Sequence, residues 1–211
     1  MSTVELVAVE PPLQYFKIDG IVRPEPTTLV LHKNLYADAP TDYKITDTRG
    51  ATVVTLKAKD HSLRDKRKIL DATGQELYQI QDKLMSIHTE MVAKRDGIQL
   101  FKVIDESTAN SDARMKVELS EYITKSGDKQ TLELLGDWFG DNAQLSFYDK
   151  DNKRPGQVIA KASRNSMEVK PGSYDDQTYF VTVAPNVDLA IMAGIAVCFD
   201  EIRRGLEYGA A

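Results

Sequence analysis

The stretch "VDLAIMAGIAVCFDEI", Val187 to Ile202, decides the fold. It is apolar on every side. Asp188 stands in front of it and Asp200-Glu201 behind it, and from Val187 to Phe199 Asp188 is the only charge. A helix that crosses a bilayer needs about 20 apolar residues, so a run this short falls well below the span. A helix that is apolar all round and too short for a membrane belongs in a protein core. Leu189, Ile191, Met192, Ile195, Val197 and Phe199 supply its bulk, and Ala190, Ala193, Gly194 and Ala196 let neighbours approach. The helix is predicted from Asp188 to about Arg204. Asn186 or Asp188 serves as its cap, where an acidic group also suits the positive end, and Gly205 serves as its terminator.

What surrounds this helix reads as strand. "TTLVLHKN", Thr27 to Asn34, is β-branched and apolar. "DYKITDTRGATVVTLKA", "RKILDATGQELYQIQDK" and "AQLSFYDKDNKRPGQVIAKASRN" each read as a hairpin, two strands around a turn opened by Asp47, Asp71 or Asp149. Asp bonds its own backbone in such a turn, and Gly or Asn takes the left-handed position. Asp149 and Asp151 do not make a calcium loop, because Lys153 holds the next ligand position and no closing Glu follows. "KLMSIHTEMVAKRDG", "IQLFKVID", "ARMKVELSEYIT", "QTLELLGDWFG" and "TYFVTVAP" add further strands, and no long amphipathic helix precedes Pro185. Many short strands at regular spacing make a sandwich or a barrel. One wholly apolar helix needs an interior, so the expected fold is mainly β, a closed antiparallel β-barrel around a central C-terminal helix. Residues 1–25, with Pro11, Pro12 and Pro24, read as a partly extended N-terminal arm, and 26–211 as one barrel domain without an interdomain linker.

Composition sets the frame for function. The 211 residues carry 42% hydrophobic and 28% charged side chains, a globular mixture, with a net charge of −5 that argues against a general nucleic-acid binder. A single cysteine, Cys198, excludes an intrachain disulfide, and no Asn-x-Ser/Thr acceptor occurs. Both point to a reducing compartment, with a cytoplasmic location or peripheral contact with a membrane. "MSTVELVAVEPPLQYF" is not read as a signal peptide, and no lipidation motif is read in the chain.

Several stretches resemble the LURP-one-related family of plants and fungi. In "SLRDKRKILDATGQELYQIQDKLMSIHTEMVAKRDG" a hairpin with the turn Asp71-x-x-Gly74-x-x-Leu77 leads into "K-L-x-S-x-H", Lys83 to His88. "ELLGDWFG" follows, and "VAPNVDLAIMAGIAVCFDEI" closes with "V-D-x-A" and "D-E-I". The resemblance runs from about Pro26 to Ile202. It implies the tubby-like fold, a barrel of about twelve strands around a hydrophobic C-terminal helix. It implies no enzymatic activity and no cofactor, a link to defence in plant members, and kinship with tubby proteins that bind phosphoinositides. It also implies kinship with phospholipid scramblases, whose cysteine-rich segment and acidic calcium loop have no counterpart here.

The basic run Lys57, Lys59, His61, Arg64, Lys66, Arg67 and Lys68 is the candidate lipid-binding site, since cationic forks hold phosphorylated headgroups. Asp60 and Asp65 interrupt it, and the competing reading is a solvated hairpin edge whose charge blocks pairing. His32, His61 and His88 have no metal spacing, and Ser86 beside His88 lacks a nucleophile elbow, so no catalytic and no metal residue is assigned. Cys198 reads as an inert buried thiol. Trp138 and Phe139 read either as a lid over the core or as an anchor for a membrane or partner. Three functions follow. The first is a non-catalytic module on phosphoinositide or other anionic membrane. The second is a protein-interaction scaffold in stress or defence signalling. The third is a small-ligand carrier or enzyme with a barrel-mouth pocket, which the axial helix disfavours.

Overall fold

The computed structural model describes residues 5–33, 43–58, 66–83, 89–106, 114–124, 127–136, 143–149, 154–163 and 178–209, with the backbone alone beyond Ile202. Twelve strands follow one another: β1 (Thr27–Lys33), β2 (Tyr43–Asp47), β3 (Thr52–Ala58), β4 (Lys66–Asp71), β5 (Glu76–Asp82), β6 (Glu90–Arg95), β7 (Ile98–Asp105), β8 (Met115–Leu119), β9 (Gln130–Leu135), β10 (Ala143–Asp149), β11 (Arg154–Ser163) and β12 (Thr178–Val183). Each pairs antiparallel with the next, and β12 returns to β1, with Val30 opposite Phe180. The barrel is therefore closed and has no edge strand. Strand alternation sorts the residues. In β2 Tyr43, Ile45 and Asp47 are buried and Lys44 is exposed.

The helix α1 (Leu189–Gly209) fills the interior. From Leu189 to Phe199 its described side chains, Cys198 among them, are almost wholly buried. No helix among the described residues is long and apolar enough to cross a membrane. Asp188 is its cap: Oδ1 accepts from the N–H groups of Ala190 and Ile191 at 3.0 and 3.2 Å. The helix does not end at Gly205, as expected, but runs on to Gly209. A glycine inside a helix weakens it by about 1 kcal/mol without stopping it.

Three tyrosines reach in from the wall and fasten the helix at successive heights. Tyr78 of β5 donates to the Ala190 carbonyl at 2.7 Å, and Tyr179 of β12 to the Ala196 carbonyl at 3.3 Å. Tyr43 of β2 donates to Asp200 and to Glu201. Gly194 is required by the first of these. A Cβ there would lie 2.0 Å from the Tyr78 hydroxyl, and that ring is wedged against Phe16 and Phe101.

The two ends of the barrel differ. One end carries the β2–β3, β4–β5, β6–β7, β8–β9 and β10–β11 links and the entry to the helix. Two of the three turns named from sequence sit there as expected: Asp47 Oδ1 accepts from Arg49 and Ala51, and Asp71 Oδ1 from Thr73 and Gln75. Residues 150–153 of the third lie outside the described residues. The N-terminal arm runs across this end. Val9 bonds Pro185, Leu13 bonds Asn186 and Gln14 bonds Ile123. Val9, Leu13, Phe16 and Ile21 are buried as its plugs. Asp188 ties the arm down, because its Oδ2 accepts from Tyr15 and Phe16. Burial outweighs these donors and raises the Asp188 carboxyl to about 6. The opposite end is the mouth through which the helix leaves. All six strand connections there, 34–42, 59–65, 84–88, 107–113, 137–142 and 164–177, lie outside the described residues.

Candidate functional site

Strand register decides which basic residues share a surface. Lys57 on β3 is directly opposite Lys68 on β4, Lys68 opposite Gln79 on β5, and Gln79 opposite Lys94 on β6. This row crosses the outer wall. Lys66 stands beside it, opposite Gln81, and Lys44 lies on the neighbouring strand, opposite Thr55. Lys44, Lys57 and Lys94 are exposed and Lys66 is half-buried. Among the described residues none of these four has a carboxylate partner, whereas Lys68 is paired with Glu76 at 2.6 Å. Beside the row, Glu76, Gln79, Gln81, Lys94 and Arg95 line an open groove of about 490 Å³.

Like charges directly opposite each other destabilise a strand pair. The Lys57–Lys68 pair is such an arrangement. A guard against edge-to-edge pairing does not account for it, because β3 and β4 are interior to a closed barrel. The wall from β6 to β9 shows the alternative. There Lys102 is opposite Glu118 and Lys116 opposite Glu133. Lys102 reaches Glu118 at 3.0 Å, Lys83 reaches Glu90 at 2.9 Å, Lys116 reaches Glu118 at 3.6 Å and Arg114 reaches Glu133 at 2.9 Å.

The basic run expected from sequence is divided by this geometry. Lys57, Lys66 and Lys68 come together on the outer wall. Arg67 does not join them. It shares the inner face of β4 with Ile69 and is buried at the mouth, where Nη2 donates to Glu201 at 3.1 Å and Nη1 to Asp82 at 3.4 Å. The reason is local alternation: consecutive residues of a strand cannot face the same way. Burial, and after it the neighbouring Asp200 carboxylate, pushes the Tyr43 hydroxyl far above its ordinary range, so it stays a donor to the helix end. Arg67 thus serves the interior. Lys59, Arg64, His61, Ser86, His88, Trp138 and Phe139 lie outside the described residues.

Two lysines of the wall, Lys44 and Lys94, are absent from the basic run. Lys44 lies on β2, which flanks the run, and Lys94 on β6, one strand beyond β5, and only the register brings them into line with it. His32, next to the end of β1, has Nδ1 at 3.0 Å from the Thr178 hydroxyl. Cys198 is enclosed, and burial pushes its thiol well above the ordinary range. The axis is filled by the helix, and the groove opens on the outside of the barrel.

Comparison with known proteins agrees with this architecture. The model of the family described as LURP-one-related matches residues 27–200. The Arabidopsis thaliana protein LURP-one-related 15 is 23% identical over 187 residues, covering 86% of this chain and 82% of its own. Protein LURP1 of the same plant is 24% identical over 187 residues, covering 86% of each. An X-ray structure of an Arabidopsis thaliana protein superposes with a TM-score of 0.59 at 20% identity, covering 87% of this chain and 94% of that one, and so shares the fold. None of these matches indicates a catalytic family.

Proposed function

The chain belongs to the LURP-one-related family, and from that premise we propose that it is a non-catalytic barrel that docks peripherally on an anionic membrane through the lysine wall of β2 to β6. The observation that carries this reading is the row Lys57–Lys68–Gln79–Lys94, with Lys44 and Lys66 beside it, kept basic and largely without carboxylate partners among the described residues. Each lysine near a membrane rich in anionic lipid contributes about 1 kcal/mol, so four unpaired ones give about 4 kcal/mol, a millimolar-range attraction. Attraction of that size needs a dense anionic surface, and a multiply phosphorylated inositol headgroup supplies more charge per lipid than phosphatidylserine does. Gln79 and Gln81 in the groove offer side-chain amides to the headgroup hydroxyls.

Vesicle co-sedimentation tests the reading. Neutral vesicles, phosphatidylserine vesicles and phosphoinositide vesicles are compared at low and physiological salt, with the wild type and the Lys57→Glu, Lys94→Glu double variant. Binding to anionic vesicles that weakens with salt, and drops at least about tenfold in the variant, is the expected result. Failure of the wild type to sediment with any vesicle contradicts it.

A further inference from the structure

Among the described residues three large hydrophobic side chains stand exposed: Val7, Ile98 and Tyr122. All three belong to the end of the barrel crossed by the arm. Val7 lies beside β11, where its carbonyl accepts from Gln157, Ile98 begins β7, and Tyr122 sits in the β8–β9 link. Ile98 and Tyr122 line one cleft of about 370 Å³ together with Gln99, Glu118, Ser120 and Glu121. Lys129 completes its rim.

Three properties set this cleft apart from ordinary surface. The first is Ser120. Its side chain is buried, at 8% exposure, and its Oγ has no hydrogen-bond partner among the described residues. Its main chain is fixed, the N–H donating to Leu100 and the carbonyl accepting from Ile123. A buried hydroxyl without a partner is uncommon, and this one lies beneath the surface of the cleft, so it marks a loosely satisfied floor under Tyr122 and Glu121. The second is a pair of charges that do not meet. Glu118 is already balanced by Lys102 and Lys116, but Glu121 and Lys129 line the same cleft with no ion pair to each other or to any other described residue. The third is the Tyr122 ring, 56% exposed on a turn held by the Ile123–Ser120 and Thr124–Asp128 hydrogen bonds.

We propose that this cleft binds a short segment of a partner protein that presents an arginine beside an acidic residue. The guanidinium stacks on the Tyr122 ring, its methylene stem covers Ile98, and its N–H groups donate to the Glu121 carboxylate. The neighbouring acid of the segment pairs with Lys129. Arginine suits the ring better than lysine, because its planar, weakly hydrated head stacks on an aromatic face while donating in its own plane. A purely apolar anchor would strip water from Glu121 and Lys129 and return nothing to either charge. An anionic membrane is the wrong partner for this end, where Asp96 and Asp128 are exposed beside Glu118 and Glu121. The cleft lies on the β7–β9 side and borders the lysine wall, its Gln99 standing opposite Lys94 across β6–β7.

The test is an amide-shift titration of the full, isotopically labelled chain with the capped peptide Gly-Arg-Glu-Gly. Saturable shifts centred on Gln99, Ser120, Glu121 and Tyr122 are expected, with a Kd of about 1 mM, as fits one anchor side chain. The affinity is expected to fall about tenfold in Tyr122→Ala and in Glu121→Lys, a loss typical of an interface anchor. Gly-Lys-Glu-Gly should bind about threefold more weakly, as its head does not stack. Each variant changes an exposed or half-buried side chain, and its melting temperature checks that it is folded; Glu121→Gln replaces any that is not. No saturable shift up to roughly 10 mM peptide overturns the proposal. So do shifts that persist unchanged in both variants, or equal affinity for the lysine peptide.

Discussion

The two outer walls of this barrel solve the same problem in opposite ways. From β6 to β9 the register sets lysine against glutamate, Lys102 against Glu118 and Lys116 against Glu133. From β3 to β6 it sets lysine against lysine and then against glutamine, Lys57 against Lys68 and Gln79 against Lys94. The strand geometry is the same, so folding alone does not demand the difference. Paired charges on a wet surface add a few tenths of a kcal/mol each, while opposed like charges subtract a similar amount. The first wall is arranged for stability. The second gives up a little stability and keeps a field that projects outward.

The largest expected effect falls on what both walls share. Their inner faces rest on one helix, where Ala193 has no exposed surface. Ala193→Asp puts a charge there with no cation facing it. An unpaired buried charge costs more than about 4 kcal/mol, a large part of a domain's total stability. The variant is expected to be insoluble or to lack a cooperative melt by circular dichroism. A soluble variant that melts at the wild-type temperature would mean that the walls do not depend on a common core.

The next effect separates the walls. Lys102→Glu with Lys116→Glu is expected to lower stability by about 1 kcal/mol, because attraction across β7–β8 becomes repulsion at Glu118. Its vesicle binding should stay within about twofold of wild type, since the lysine wall is untouched. Lys57→Glu with Lys94→Glu should do the reverse. Either pair of changes moves the formal net charge by −4, from −5 to −9, so total charge is held equal. Urea midpoints and vesicle sedimentation read the two outcomes side by side. Equal loss of vesicle binding in both doubles would show that net charge, and not the position of the lysines, sets the attraction.

How much of this was legible in the sequence depends on the range of the interaction. The Asp47 and Asp71 turns are readable because each carboxylate bonds N–H groups two and four residues ahead. Burial outweighs nothing there: for Asp47 it pushes upward, but the Ala51 and Arg49 N–H groups and the Arg23 guanidinium hold the carboxyl below its usual range. The helix is readable because length and hydropathy are local properties. Arg67 is not readable as an interior residue, because hydropathy places a guanidinium outside and its partner Glu201 lies 134 residues away. The arm looks like a free extended segment until Asp188, 172 residues from Phe16, is seen to hold it. Lys94 joins the lysine row only through the β5–β6 register, and a one-residue slip would turn it inward. Gly205 misled because a glycine marks a helix end only where the chain turns there, and here it does not.

The smallest effect is the sharpest for the comparison. Lys57→Thr removes one member of the like-charged Lys57–Lys68 pair and places a β-branched residue on an outward strand position. Both changes favour the sheet, by about 0.3 to 1 kcal/mol together. The same change removes about 1 kcal/mol of attraction to an anionic surface, roughly a fivefold loss of vesicle binding. Stability and binding are therefore expected to move in opposite directions in one variant. Urea unfolding and vesicle sedimentation of the same preparation measure both. If stability falls with binding, Lys57 is part of the scaffold through its aliphatic stem, and the wall was not built at the expense of folding. If stability rises while binding is unchanged, the charge at Lys57 is surplus, and the attraction rests on Lys44, Lys66 and Lys94. Only a rise in one and a fall in the other fits a wall whose charge is retained for a surface outside the molecule.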